Sequence, residues 1–402
     1  MNTTELYSED ACCGCGACAA ICPKEAISIE TNEFGFKYPY IDSNRCIDCK
    51  ACKKVCSFKK EKEKISNNYK CYAGGVQDDN LIMKSASGGI FSAIASQFIK
   101  MGGYVCGSSA FLENGIIKVQ HIIINDLDNL YKLQGSKYVQ SDTVDCFKKI
   151  GKLIKNGSKV LFSGTPCQVD AVKSLYGRYS GTLLFTIDII CHGVPSRRMF
   201  DDYIQKEMEK QKIIVQEFKF RDKQFGWGLD GSIKGKDSNS NIVFKKINPD
   251  TSSYYRFFLD GETYRDSCYE CPFAQDKRIG DLTIGDYWGV EKYSPELLNE
   301  NGGPFFKSKG VSCLFVNTNQ GQKLLEHCGM DILRKTVEVS KIKIINTQLR
   351  EPAQFSYLRK KLFKGYAQNG YPYIEKIFIR KSKISNTKQH IKLIIKRIIG
   401  RS

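Results

Sequence analysis

At 402 residues, with 42% apolar side chains, the chain has room for about two or three domains with their own cores. The formal charge of +18 is strongly basic, yet no zinc-finger, helix-turn-helix or RNP-type aromatic motif accompanies it, which argues against nucleic-acid binding. The 18 cysteines are clumped rather than spread like a disulfide framework, and no apolar run reaches the ~18 residues of a membrane span. With no basic-then-apolar leader after Met1, the expected setting is reducing, cytoplasmic and low in oxygen.

Two runs open the chain, Cys12-x-x-Cys15-x-x-Cys18-x-x-x-Cys22-Pro23 and Cys46-x-x-Cys49-x-x-Cys52-x-x-x-Cys56. Each matches the bacterial ferredoxin spacing, in which three thiolates wrap one cubane and the fourth reaches the other. The pairing therefore crosses: Cys12, Cys15, Cys18 and Cys56 for one 4Fe-4S cluster, and Cys46, Cys49, Cys52 and Cys22 for the second. Cys13 falls out of register and reads as a spectator. Ser57 stands where a proline is usual, which changes a turn and not a ligand. Zinc also takes Cys-x-x-Cys pairs, but it gives no reason for two complete four-cysteine runs in tandem.

Lys59 to Lys64 is a charge run without apolar period and reads, with Ser66-Asn67-Asn68, as a solvated linker. From about Lys70 to Lys335, short apolar runs alternate with helical stretches. Strands are expected at Cys71–Gly74, Tyr104–Gly107, Val160–Ser163, Leu183–Ile190, Leu282–Gly285 and Val311–Asn317, and helices at Ile90–Met101, Gln168–Tyr176 and Gln320–His327. This alternation predicts an α/β body with flanking helices behind a small α+β ferredoxin-like domain. The expected divisions are 1–60, the ferredoxin domain; 61–69, the linker; 70–158, a flavin-binding region; 159–335, a region with a third cluster; and 336–402, a helical basic tail.

Within the body, Ser87, Gly88, Gly89 and Ser92 open an apolar helix after a strand, where bare N–H groups and the dipole suit a pyrophosphate such as that of FAD. The same segment also reads as an ordinary helix start. Gly135-Ser136-Lys137-Tyr138 offers a cation, a stacking ring and a hydroxyl, or else a surface strand. Cys167, Cys191, Cys268 and Cys271 lie at strand ends or in the loops beyond, where α/β folds place their chemistry. Alone these four suit zinc or buried thiols as well; beside two ferredoxin clusters they read as a third 4Fe-4S site, with His192 as a substitute ligand or a hydrogen-bond donor to sulfur. Asp188 and Asp286 are read as proton donors or turn caps, and Arg221-Asp222-Lys223 with Trp227 as a substrate mouth or a surface loop.

The tail from Lys376 to Ser402 carries nine Lys or Arg and no acid, with Ile391, Ile394, Ile395, Ile398 and Ile399 at helical spacing. It reads as a basic amphipathic helix for an anionic membrane surface or a partner, or as a helix packed on its own protein. Three clusters at about −2 each would bring the net charge to roughly +12.

Ser87-Gly88-Gly89, Gly135-Ser136-Lys137-Tyr138, Gly164-Thr165-Pro166-Cys167-Gln168, Cys191-His192-Gly193, Cys268-x-x-Cys271 and Gly285-Asp286-Tyr287-Trp288-Gly289 occur in the order of the coenzyme F420 hydrogenase/dehydrogenase beta-subunit family, which the span from about Lys70 to His327 resembles. The resemblance implies FAD at the glycine-started helix and the Lys137 segment, and a cluster on Cys167, Cys191, Cys268 and Cys271. It also implies a flavin open to a hydride partner: coenzyme F420 or another small unsaturated or carbonyl compound. The expected function is an iron-sulfur flavoprotein oxidoreductase with three 4Fe-4S clusters and FAD, drawing on a ferredoxin or partner redox enzyme. The alternative is an electron relay that serves a partner enzyme and has no substrate of its own.

Overall fold

The structure is a computed structural model that describes residues 11–56, 58 and 70–383. Residues 1–10, Ser57, residues 59–69 with the charged linker, and the isoleucine-bearing part of the basic tail lie outside the described residues.

The N-terminal lobe is small. Helix α1 (Ala17–Ile21), the antiparallel pair β1 (Ile27–Thr31) and β2 (Lys37–Ile41), and helix α2 (Ala51–Lys54) wrap the cysteine runs. Both helices start from left-handed residues, Gly16 and Lys50, which turn the backbone sharply between successive thiols. Gly14, between Cys13 and Cys15, has φ +64, and a Cβ there would press on the Arg265 guanidinium and come within 2.7 Å of the Lys37 carbonyl oxygen. No other residue fits that loop.

The body continues with β3 (Lys70–Val76), α3 (Asp79–Met83), α4 (Ile90–Lys100), β4 (Tyr104–Glu113), β5 (Ile116–Ile124), α5 (Val144–Lys155), β6 (Val160–Gly164), α6 (Pro166–Tyr176) and β7 (Leu184–Ile189). There follow α7 (Arg197–Gln211), β8 (Ile214–Lys219), β9 (Gly231–Lys236), β10 (Ile242–Ile247), α8 (Ser253–Leu259), β11 (Leu282–Asp286), β12 (Ser312–Val316) and β13 (Ile332–Thr336). Eight strands form one mixed sheet in the order β13-β3-β12-β11-β7-β6-β4-β5. Its centre, β11-β7-β6-β4, is parallel, while β12, β3, β13 and β5 are antiparallel additions. The central strands are largely buried and mostly apolar, as strands covered on both faces tend to be, with Thr186, Asp188 and Thr283 as buried polar exceptions. Each predicted strand and helix of the body is present within two residues of its expected ends, except β4, which runs six residues beyond Gly107.

Sequence reading passed over the antiparallel sheet β10-β9-β8 and its aromatic core. Phe200, Tyr203, Phe218, Phe220, Tyr254 and Tyr255 pack there with Phe36 and Tyr38 of the lobe and with Phe363, Tyr366 and Tyr371 of the C-terminal helices. The lobe is thereby built into the body. Thr143 Oγ1 donates to the Cys15 carbonyl at 2.6 Å, Ser196 Oγ to the Phe34 carbonyl at 2.6 Å, and Lys37 pairs with Asp142. Among the described residues, no helix is long and apolar enough to cross a membrane.

Candidate iron-sulfur and flavin site

The parallel strands all deliver their carboxyl ends to one edge of the sheet, and Cys167, Cys191 and His192 follow β6 and β7 there. After β6, Thr165 caps α6 through a reciprocal box with Gln168, whose Oε1 accepts from the Thr165 N–H at 3.1 Å, and Pro166 fixes the first turn. Cys167 is therefore held in the first turn of a helix. Cys191 and His192 follow β7; Cys268 and Cys271 lie in the turn ahead of β11, where the Val194 N–H donates to Cys268 Sγ at 3.4 Å. Burial raises the Cys191 thiol, and Cys268, Cys167 and Cys271 raise it further, so the four body thiols form one neighbourhood.

The lobe cysteines divide into two neighbourhoods along the crossed pairing. Burial pushes the Cys12 thiol up to about 11 against the pull of Arg265, with Cys15 and Cys56 adding to it; Cys18 is raised by burial and by Cys15, Cys12 and Cys56. Cys22, Cys46, Cys49 and Cys52 together line a small cavity of about 30 Å³. Among the described residues no His, Cys, Asp or Glu side chains close to the spacing of a single metal ion. A cubane holds its four thiolates farther apart, each on its own iron.

Cys13 is not a bystander. Its buried thiol contacts both Cys15 of the lobe and Cys167 of the body, and hydrogen bonds from Cys13 and Thr165 bring Cys167 down to about 7 despite burial. The spectator reading missed this because register within a run says nothing about what packs on it.

Arg265 was missed too. Fully buried, it donates to Gln140 Oε1 at 3.1 Å and to the Lys37 carbonyl at 2.9 Å, and Gln140 Nε2 in turn donates to the Cys13 carbonyl at 3.1 Å. Its guanidinium lies 4.8 Å from the Tyr38 ring centroid. A buried cation needs an anion. Among the described residues no carboxylate pairs with Arg265, and the groups that raise it are Cys12, Tyr38, Cys13 and Cys268. Countercharge therefore has to come from thiolates on either side, which fits clusters of about −2 each.

Beside these thiols opens a cavity of about 360 Å³, lined by Ser87, Gly89, Ser92, Ser136, Lys137 and Tyr138 together with Cys13, Cys167, Cys191 and Trp288. Its volume and mixed lining are those of a cofactor site. Ser92 Oγ accepts from Gln134 Nε2 at 2.9 Å and bonds Ser85 Oγ at 2.7 Å. Gly88 is spent on packing: its N–H donates to Ser312 Oγ at 2.8 Å, so it adds no bare N–H to the cavity. The Lys137 segment is an irregular loop rather than a surface strand. Lys137 Nζ donates to the Gln134 carbonyl at 2.7 Å, and burial brings its amine down to about 7. The Tyr138 ring is stacked on Phe258 at 4.7 Å and is part of the aromatic core.

Neither aspartate is a turn cap. Asp188 is fully buried, 3.2 Å from Arg278 and bonded to Thr283. Asp286 takes both arms of Arg221, at 2.7 and 3.1 Å, and the Trp227 indole N–H at 2.7 Å. Trp227 stacks on Trp288 at 4.8 Å and 5°, and Lys223 ties the Ser87 loop by donating to the Ile82, Ser87 and Lys309 carbonyls. The Arg221 to Trp227 segment does not itself line the cavity; it braces Asp286 and Trp288, which do, and is not a surface loop.

Residues 11–60 match the family model of a 4Fe-4S dicluster domain, and residues 157–342 match that of the C terminus of the coenzyme F420 hydrogenase/dehydrogenase beta subunit. Residues 157–342, which carry Cys167, Cys191, Cys268 and Cys271, are thus similar to the C terminus of that beta subunit. The F subunit of the F(420)H(2) dehydrogenase from Methanosarcina mazei is 21% identical over 197 residues, which cover 46% of this chain and 55% of the relative. The chain thus spans about half the length of the curated relative it matches. A chain of the F420-reducing [NiFe] hydrogenase complex from Methanosarcina barkeri superposes with a TM-score of 0.44 at 15% identity, covering 77% of this chain and 90% of that one.

Proposed function

We propose that this chain is an iron-sulfur flavoprotein oxidoreductase of the beta-subunit kind that passes electrons between three 4Fe-4S clusters and a hydride-exchanging small molecule, coenzyme F420 or another unsaturated or carbonyl compound, through FAD. The observation that carries the reading is the meeting of three things at one wall: the Cys12–Cys18 loop, the Cys167 set and the 360 Å³ cavity. The cysteine sets given above would hold the clusters. Bound FAD would exchange a hydride on one side and single electrons on the other.

The chain's own residues then have separable tasks. The N–H groups opening α4, with Ser87, Ser136 and the Lys137 ammonium, would hold the pyrophosphate. Arg265 offsets cluster charge across the lobe–body junction, and the N–H to sulfur bonds at Cys12, Cys22 and Cys268 tune the centres they meet. The input partner would be a ferredoxin or another redox protein. Anaerobically purified protein given reduced ferredoxin should bleach a flavin absorption band and then transfer hydride to F420. Cluster bleaching without any flavin band would instead make the chain a relay for a partner enzyme.

A further inference from the structure

The cavity floor carries two polar atoms that no described residue uses. Ser108 of β4 and His121 of β5 are directly opposed in antiparallel register, so both side chains leave the sheet on the same face, and both line the cavity. His121 is only 5% exposed. Its ring is stacked on Phe162 at 5.1 Å and 12°, and Nε2 lies 3.0 Å from the Ser163 carbonyl oxygen. A carbonyl can only accept, so Nε2 carries the proton and Nδ1 presents a lone pair. Burial brings the imidazole down to about 4, which keeps it neutral in the cell. Nδ1 and Ser108 Oγ are both buried and lack a hydrogen-bond partner among the described residues. Buried polar atoms are normally satisfied, and a pair left open on the floor of a cofactor-sized cavity points to a ligand that completes it.

We propose that His121 and Ser108 are flavin-positioning residues, with His121 Nδ1 accepting a hydrogen bond from a donor on the cofactor, either the ring imide N–H or a ribityl hydroxyl. This rests on the FAD reading above and extends it to two residues with no motif around them. The imidazole is locked at both ends, by the Ser163 carbonyl and by the Phe162 ring, so its lone pair has a fixed direction. A donor that meets it would be held without further ordering of the protein.

The test is FAD affinity of the full-length protein, followed by flavin fluorescence, with iron content and melting temperature as controls on folding. His121→Phe keeps the ring stack and removes the acceptor; it should weaken FAD binding about tenfold to a hundredfold at unchanged iron content. His121→Asn, whose amide oxygen can stand where Nδ1 stands, should recover most of that loss. Ser108→Ala should cost a few-fold and serves if His121→Phe does not fold. With N3-methyl FAD, a penalty that disappears assigns the imide as donor, and one that persists assigns a ribityl hydroxyl. FAD binding by His121→Phe and Ser108→Ala as tight as in the unaltered chain would overturn the proposal and leave the FAD reading standing. No FAD binding by the unaltered chain would overturn both.

Discussion

The two ferredoxin sites come from near-identical cysteine runs and sit in opposite surroundings. The Cys12, Cys15, Cys18 and Cys56 site is pressed against the body, with Cys13 touching Cys167 and Arg265 buried beside it, whereas the Cys22, Cys46, Cys49 and Cys52 site is rimmed by Lys24, Lys50 and Lys53, with Cys49 exposed. On the function proposed above, the inner site would exchange electrons with the body and the outer one with a partner. Spacing alone makes the two equivalent; packing makes one an inner site and the other an outer one.

The largest effect should come from cutting the inner path beyond the lobe. Cys191→Ala is expected to lower iron from about twelve to about eight per chain and to abolish flavin reduction, while both lobe clusters keep their electron-paramagnetic signals. Iron analysis with anaerobic spectroscopy checks this. Removing the charge at the junction should separate the two lobe sites more gently. Arg265→Gln is expected to lower the midpoint potential of the inner cluster by roughly 60 mV or more and to leave the outer one unmoved, as a redox titration would show. Equal shifts at both would erase the distinction between them.

Cys13→Ala should keep all the iron and slow electron passage from lobe to body a few-fold in stopped-flow reduction; loss of about four irons would make Cys13 a ligand. The smallest effect concerns Lys137. Its amine titrates near 7 when folded and near its ordinary value when unfolded, so between those limits the unfolded chain binds more protons and the flavin-free protein gains stability as pH rises. Lys137→Met should remove that rise, a difference of a few degrees in thermal melts taken across this range.

The cysteine sets and the strand-end residues were legible because ligand spacing and strand-to-helix alternation are local in sequence. The aromatic core was not. It is assembled from Phe36 and Tyr38 at one end of the chain and Phe363, Tyr366 and Tyr371 at the other, with β8 to β10 between, whose exposed Ile214, Ile242 and Phe244 blur any alternation. Cys13, Arg265 and His121 were invisible for a related reason. Each acts through what the fold brings to it: Cys167 to one, thiolates to another, the cavity floor to the third. The glycines at 88 and 89 read as one motif, yet only Gly89 lines the cavity, because Gly88 was needed to bring β12 close.

The most direct measurement is the iron and flavin content of oxygen-free full-length protein, taken with its absorption spectrum. About twelve irons and one FAD per chain is the expected result, given three cubanes and one flavin. About eight irons with no flavin, or zinc in a colourless protein, would contradict it.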